Sequence, residues 1–499
     1  MVRCYVRFAH AHGFTPVARL SVIPFAIGEL HYRLSSTCNS QFLPNSMSPH
    51  DPLYSLYLEI LRTELVPATG CTEPIAIAYA AAVVRQTLQA LPDRVLVQAS
   101  GNLIKNVKSV YVPNTDGQRG MEAAVAIGLI GGDASRELEV IASVEPTQKV
   151  QTAEYLARGV IAVEYLDSTH PFDLKLTVYK DDHSAMIHLQ DSHTNIVELK
   201  KDGVPVEWSS APSADVIAED ATKIYSHCGS QPTPLTDDAY DQLSVKAILD
   251  FAQSVDLDEV ESIIQAQIDC NMAIAEEGLR NRYGANVGKT ILNAYGDADV
   301  KVRARAYTAA GSDARMGGCN LPVVINSGSG NQGLTVSVPV IVYAKELNSS
   351  KEDLFRALIL SNLTAIHIKS GMGRLSAYCG VVSAGCGAGA GIAYLHGGRY
   401  REIAHTGVTA IAILSGVVCD GAKASCAAKI ASAVDVGILG FLMFQDEMQF
   451  RSGEGLVSAG IEATLHNIVR LGKDGMKETD KEIIQMMMER AQPNPDKGQ

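Results

Sequence analysis

Charge is scarce in this chain. Only 19% of its 499 residues are Asp, Glu, Lys or Arg, and the balance is acidic, with a net charge of −13. No basic surplus exists to neutralise phosphates, which argues against a nucleic-acid partner. Aromatic residues are also few, 6% with the single Trp208, against 42 glycines. Small residues therefore do much of the packing, and backbones must approach closely. The ten cysteines include no Cys-x-x-Cys pair, so a zinc ribbon is excluded. Their scatter along so long a chain is not a disulfide framework, and they read as reduced thiols of a cytoplasmic protein. Hydrophobic content of 46% supplies a large core, enough for two or three domains, and rules out global disorder.

Residues 1–46 differ from the rest of the chain. Arg3, Arg7 and Arg19 precede the first acid, Glu29, as in an organellar presequence, and the apolar run 20–28 resembles a weak signal segment. The reading preferred is an upstream start codon, with Met47 the true first residue. Residues 47–92 carry an amphipathic run at 53–65 and a small-residue helix at 75–91. From Arg94 the pattern turns to alternation, with strands expected at 95–99, 109–113, 160–166, 174–179, 185–190 and 195–199, and one helix at 121–130. A polar, Pro-containing linker is expected at 209–238. Helical periodicity then dominates from Tyr240 to the end. The fold class expected is α+β: a mostly α-helical domain (47–92 and 236–499) with an α+β domain, mainly antiparallel sheet, and its linker inserted at 93–235. Residues 376–395 carry no charge over twenty positions, long enough to span a bilayer. Their Gly and Ala content instead suits a core helix clasped by its neighbours, and no membrane association is expected.

Three stretches carry chemistry. Gly70-Cys71-Thr72-Glu73-Pro74 places Cys71 just outside a helix N-terminus, with Thr72 as N-cap, a setting that favours thiolate over thiol. The alternative is a small buried cysteine beside a turn. Cys379, Cys386, Cys419 and Cys426 crowd a second region, each pair seven residues apart; converging thiolates from separate helices suit an iron–sulfur cluster. The third stretch, Asn326-Ser327-Gly328-Ser329-Gly330-Asn331-Gln332-Gly333, contains a literal Gly-x-Gly-x-x-Gly with Glu346 downstream. A helical pattern after Glu346, where a βαβ unit needs a strand, argues against a dinucleotide site, and no Walker lysine is present. A nest of backbone N–H groups for a carboxylate or phosphate remains, beside a plain tight turn. Arg315, in flexible small-residue surroundings, either clamps a carboxylate or pairs with Asp313, and Arg374 carries the same ambiguity.

Taken together, Pro67-Ala68-Thr69-Gly70-Cys71-Thr72-Glu73-Pro74, Ser312-Asp313-Ala314-Arg315-Met316-Gly317-Gly318, the Asn326 loop, Arg374-Leu375-Ser376-Ala377-Tyr378-Cys379 and Cys419-Asp420-Gly421-Ala422-Lys423-Ala424-Ser425-Cys426 resemble the L-cysteine desulfidase family, related to the alpha chain of iron–sulfur L-serine dehydratases. The resemblance runs from about residue 53 to about 491. It implies a 4Fe–4S cluster in the helical domain held by Cys71, Cys379 and Cys419, one iron open to an amino-acid substrate, and β-elimination of cysteine to sulfide, ammonia and pyruvate. Cys426 is matched but not required. Arg315, Arg374, Asn326, Ser327, Ser329 and Asn331 are the residues expected around the substrate, and His367 or Lys369 the base, by proximity to Arg374. A homo-oligomer is compatible with all of this. The alternatives are an iron–sulfur L-serine dehydratase, a pyridoxal phosphate β-eliminase whose Gly-rich loop holds phosphate, and a non-enzymatic helical scaffold.

Overall fold

The computed structural model describes residues 47–208, 235–373 and 375–489. The expectations for residues 1–46, for most of the 209–238 linker and for Arg374 lie outside them. The first elements among the described residues are α1 (Pro52–Glu64), capped by Asp51 with Pro at its first position, and the short β1 (Pro67–Thr69). Next come α2 (Thr72–Leu88), β2 (Arg94–Ala99), α3 (Gly101–Val107), α4 (Gly120–Gly131), α5 (Pro146–Ala157), β3 (Ile161–Tyr165), β4 (Asp173–Lys180), β5 (His183–Gln190), β6 (Ile196–Lys201) and β7 (Val204–Pro205). The helical remainder runs α6 (Asp237–Tyr240), α7 (Val245–Ser254), α8 (Glu261–Arg280), α9 (Val287–Tyr295), α10 (Val300–Met316), β8 (Pro322–Val324), α11 (Gly330–Glu346), α12 (Lys351–Met372), α13 (Val381–Leu395), α14 (Tyr400–Leu414), α15 (Cys426–Gln445), α16 (Ile461–Arg470) and α17 (Lys477–Glu489).

The fold is α+β and mostly helical, as its period changes imply. The sheet is ordered β3-β2-β4-β5-β6-β7. Only β2 and β3 run parallel; the rest are antiparallel, joined by turns at Asp181 and at Asp202-Gly203. A parallel pair needs a long crossover, which α3, α4 and α5 supply. The segment 109–113, expected as a strand, makes one isolated bridge from Tyr111 to Arg119. The stretch 311–318, expected to be flexible small-residue surroundings for Arg315, is largely the C-terminal part of α10. Its small residues are there because neighbouring helices crowd it.

Two large hydrophobic cores form among the described residues, and their border differs from the one expected at residue 93. One joins α1 and β1 to elements from Leu243 onward. The other begins at Ile75: α2, small and apolar on every side, is buried between the sheet and α4. A helix apolar all round must be enclosed from both sides, so α2 packs with the sheet and the seam between the cores passes through Cys71. Strand β1 ties the seam to the helical side by pairing with β8, Pro67 opposite Val324.

The apolar stretch 376–395 contains only fifteen helical residues, α13, about 22 Å at 1.5 Å per residue and short of a bilayer core. Among the described residues α15 is long and apolar enough to cross a membrane, and half of that stretch is buried in the protein. It lies along α13 with no room for side chains: a Cβ on Gly437 would stand 2.4 Å from the Gly385 carbonyl oxygen. Gly437→Ala is therefore expected to lower stability by about 1–3 kcal/mol, as overpacking does, read as a lower urea midpoint. Ser432→Ala, on the exposed face of the same helix, is expected to stay within about 0.5 kcal/mol.

Candidate active site

Four helices begin at the seam. Cys71 itself is the N-cap of α2, in extended conformation, and Thr72 is the first helical residue rather than the cap. The Thr72 hydroxyl donates to the carbonyl of Gly328 at 2.8 Å, joining the start of α2 to the glycine-rich loop. That loop turns through positive φ at Ser327 and Gly328 and then becomes the first turn of α11. Gly380, directly after Cys379 and at the start of α13, lies against the Gln332 amide of that same first turn. Cys426 opens α15 and packs with Cys71, Val110, Met316 and Ala422. Helix N-termini carry unpaired N–H groups and the positive end of the macrodipole, so their meeting makes a seat for negative charge.

The second cysteine region is built by two short antiparallel segments. The N–H of Cys379 donates to Val417 O at 3.0 Å, that of Cys419 to Ala377 O at 2.6 Å, and Tyr378 bridges Val418. This brings the two thiols within reach of each other, and their interaction raises the Cys379 thiol well above its ordinary value and lowers Cys419 to about 6. The ammonium groups of Lys105 and Lys369 add to the lowering at Cys419. Burial pushes Cys71 up, reinforced by the Glu73 carboxylate that accepts from its thiol at 3.3 Å, with the Arg315 guanidinium opposing. Cys426, raised by burial, is within electrostatic reach of Cys71, Cys379 and Cys419.

Arg315 is 2% exposed and among the largest fully buried side chains. Its Nε has no hydrogen-bond partner, and among the described residues no carboxylate pairs with it. Asp313, the alternative partner, instead accepts from the Gly288 N–H at 3.0 Å at the start of α9. The guanidinium lies over the first turn of α11, where a Cβ on Gly330 would come within 2.4 Å of Nε, so only glycine admits it. A buried cation without an anion is costly, and here it faces a helix N-terminus next to Cys71.

The sequence pattern of the serine dehydratase alpha chain family matches residues 135–485. The chain belongs to that family. UPF0597 proteins are similar over nearly the whole of their own length. That of Desulfitobacterium hafniense is 53% identical over 442 residues, covering 89% of this chain and 98% of its own. That of Lachnoclostridium phytofermentans is 49% identical over 436 residues, 87% and 100%. That of Treponema denticola is 46% identical over 447 residues, 89% and 100%.

Membership brings an iron–sulfur theme, and cysteine thiols are the donors such a cluster takes. Among the described residues no three ligating side chains are close enough to share a single metal ion. Thiolates on one ion would crowd to about 3.8 Å with metal–sulfur bonds of about 2.3 Å, whereas a cluster takes ligands set farther apart. The setting is also cationic, with Arg315, Lys105, Lys369 and Lys429 each within the field of a cysteine.

The other expected residues are distributed unevenly. Lys369 is buried, its Nζ 3.5 Å from Ser376 Oγ. His367 is turned away: its Nε2 meets Glu462 at 2.8 Å, on α16. Two residues along a helix rotate by about 200°, so the pair cannot serve one site. Asn326 is spent inside the fold, its amide donating to the Asn362 carbonyl and side chain at 3.2 and 3.0 Å. Ser327 bonds Asn326, and Ser329 caps α11 half-buried. Asn331 accepts from Ser312 at 3.1 Å and reaches the Met316 sulfur at 3.7 Å. Sequence reasoning missed Lys105 and the Asn106–Glu73 bond of 3.0 Å, since both come from α3, which bore no motif. It also missed Gln267, Asn271 and Asn362, buried amides that brace β8 and the loop. Three buried amides in a helical core were the available signal.

Asp313 provides a pH test of this scaffold. Burial, outweighing the backbone N–H groups of 285–288, raises its carboxyl to about 6. A folded-state value above the unfolded one means stability present below about pH 4 and lost as pH rises through 6. Unfolding titrations should show that loss between pH 4 and 6, and Asp313→Asn should flatten it.

Proposed function

We propose that this chain is an L-cysteine desulfidase, converting L-cysteine and water to pyruvate, ammonia and hydrogen sulfide. The observation that carries the reading is the buried Arg315, with no carboxylate partner among the described residues, at the meeting of helix N-termini with the cysteines. Such a site suits an amino-acid carboxylate, held by the guanidinium and the N–H groups of the first turn of α11. Cys71, Cys379 and Cys419 would hold a 4Fe–4S cluster with one iron open. When bound, that cluster supplies a Lewis acid that draws charge from the leaving group.

The chain's own residues supply positioning and proton transfer. Arg315 orients the carboxylate, which fixes where the α-hydrogen points. Lys369 is the base proposed for that hydrogen, because His367 is committed to Glu462 on the far face of α12. Met316, Val110 and Ala422 give the wall beside Cys71 an apolar surface. A thiol gains from contact with that apolar surface, whereas a hydroxyl gains less. Loss of sulfide leaves aminoacrylate, which water converts to pyruvate and ammonia. The seven described cysteines are all free thiols, which supports a reducing compartment, the cytoplasm.

A second reading, L-serine dehydratase on the same scaffold, is favoured by the description of the matching family. Anaerobically reconstituted protein decides between them: kcat/KM at least tenfold higher for cysteine, with sulfide released in step with pyruvate, is expected. A tenfold preference for serine would select the second reading. Arg315→Ala should raise KM about 10–100-fold, the loss of a charge-assisted pair. Cys71→Ser, Cys379→Ser and Cys419→Ser should each lose bound iron by colorimetric assay, while Cys426→Ser retains it.

A further inference from the structure

The C-terminal helix is held unlike the other helices near the cysteines. Every residue of α13 up to Ala393 is buried, whereas none of the described side chains of α17 is. Polar bonds to α3 dock it instead. Asp480 accepts from Asn102 Nδ2 at 2.7 Å and from Lys105 Nζ at 2.5 Å, and the Met487 carbonyl accepts from Lys108 Nζ at 2.7 Å. The apolar contact on α3 is Ile484 against Gly101, 3.0 Å from where a Cβ would be. Helix α3 belongs to the sheet core, while α17 continues from α16 on the helical side. The docking therefore crosses the seam on which the cysteines lie.

Both ends of this arrangement rest on cysteine-bearing segments. Between α16 and α17 the chain makes a π turn, Leu471–Gly475, a form often found at functional sites. Gly472 in that turn lies 3.2 Å, measured from its Cβ position, from the ring of Tyr378, the neighbour of Cys379. At the other end, the Lys105 carbonyl abuts Gly421, two residues past Cys419. Elements held by few buried apolar contacts open first, and lifting α17 withdraws no buried side chain of its own from either core.

We propose that α17 is a hinged strap over the cysteine centre, turning about residues 471–475 and latched by Asp480 on Asn102 and Lys105. Latched, it shields the Cys379–Cys419 pair; released, it admits small solutes such as an iron donor or a thiol reagent. The proposal is independent of which amino acid the enzyme consumes.

The test uses full-length, metal-free, reduced protein, with N-ethylmaleimide labelling followed residue by residue by mass spectrometry. Asp480→Ala should speed labelling of Cys379 and Cys419 at least tenfold, leave Cys386 and Cys270 unchanged, and be rescued by Asp480→Glu. Cys386 and Cys270, both buried elsewhere, report general loosening. A parallel rise at all four thiols overturns the strap, as does no rise at all. Hydrogen exchange on the unaltered protein is the second measurement. Amides of α17 should exchange at least a hundredfold faster than those of α13, and equal protection overturns the proposal without any variant.

Discussion

The cysteine centre depends on how closely helix backbones approach one another at the seam between the two cores. Gly437 on Gly385 leaves no space for a methyl group between α13 and α15, and Gly330 leaves none between α11 and Arg315. Larger residues there would push the helices apart and spread their N-termini. The thiols would then separate, because Cys71, Cys379 and Cys426 each stand at or beside a helix start. The shortage of aromatic residues and abundance of glycine thus reflect the same demand that assembles the site.

Close approach has an electrostatic consequence. Converging N-termini, Arg315 and the lysines make a strongly positive interior region in an acidic protein. A buried cation with no carboxylate partner, as Arg315 is among the described residues, destabilises a fold unless an anion is expected there. Thiolates, a cluster or a carboxylate would meet that need, and the low local dielectric would strengthen each contact. Of the surrounding carboxylates, Asp313 is engaged at the start of α9 and Glu462 on His367, while Asp480 pairs with Lys105 and Asp420 with Lys429 and so balance part of this charge.

Placing a site at a seam also explains its braces. Residues from both cores reach it: Lys105 and Asn106 from α3, Arg315 from α10, Lys369 from α12. Motion of one core against the other would disturb all of them together. The Thr72–Gly328 hydrogen bond and the α17 docking are the cross-links that resist it, while the β1–β8 pairing and the buried amides Asn271 and Asn362 stiffen the helical side.

Much of this was legible in the residues alone. The change of period at Arg94 and its return near Tyr240 marked a sheet between helices, because alternation and 3.6-residue spacing are local properties. The cysteine, arginine and glycine motifs were visible for the same reason: turn chemistry and helix starts are written within a few neighbouring positions. What those positions could not reveal was which faces meet. That α2 belongs to the sheet core, that His367 turns to Glu462 while Lys369 turns to the cysteines, and that Asn326 is spent on Asn362 were decided by packing between segments far apart in the chain. So was the part played by Lys105, which has no motif and gains its role only because α3 lands on Gly421. Local patterns determine elements and their ends; only the tertiary structure determines which charges and thiols share one low-dielectric space.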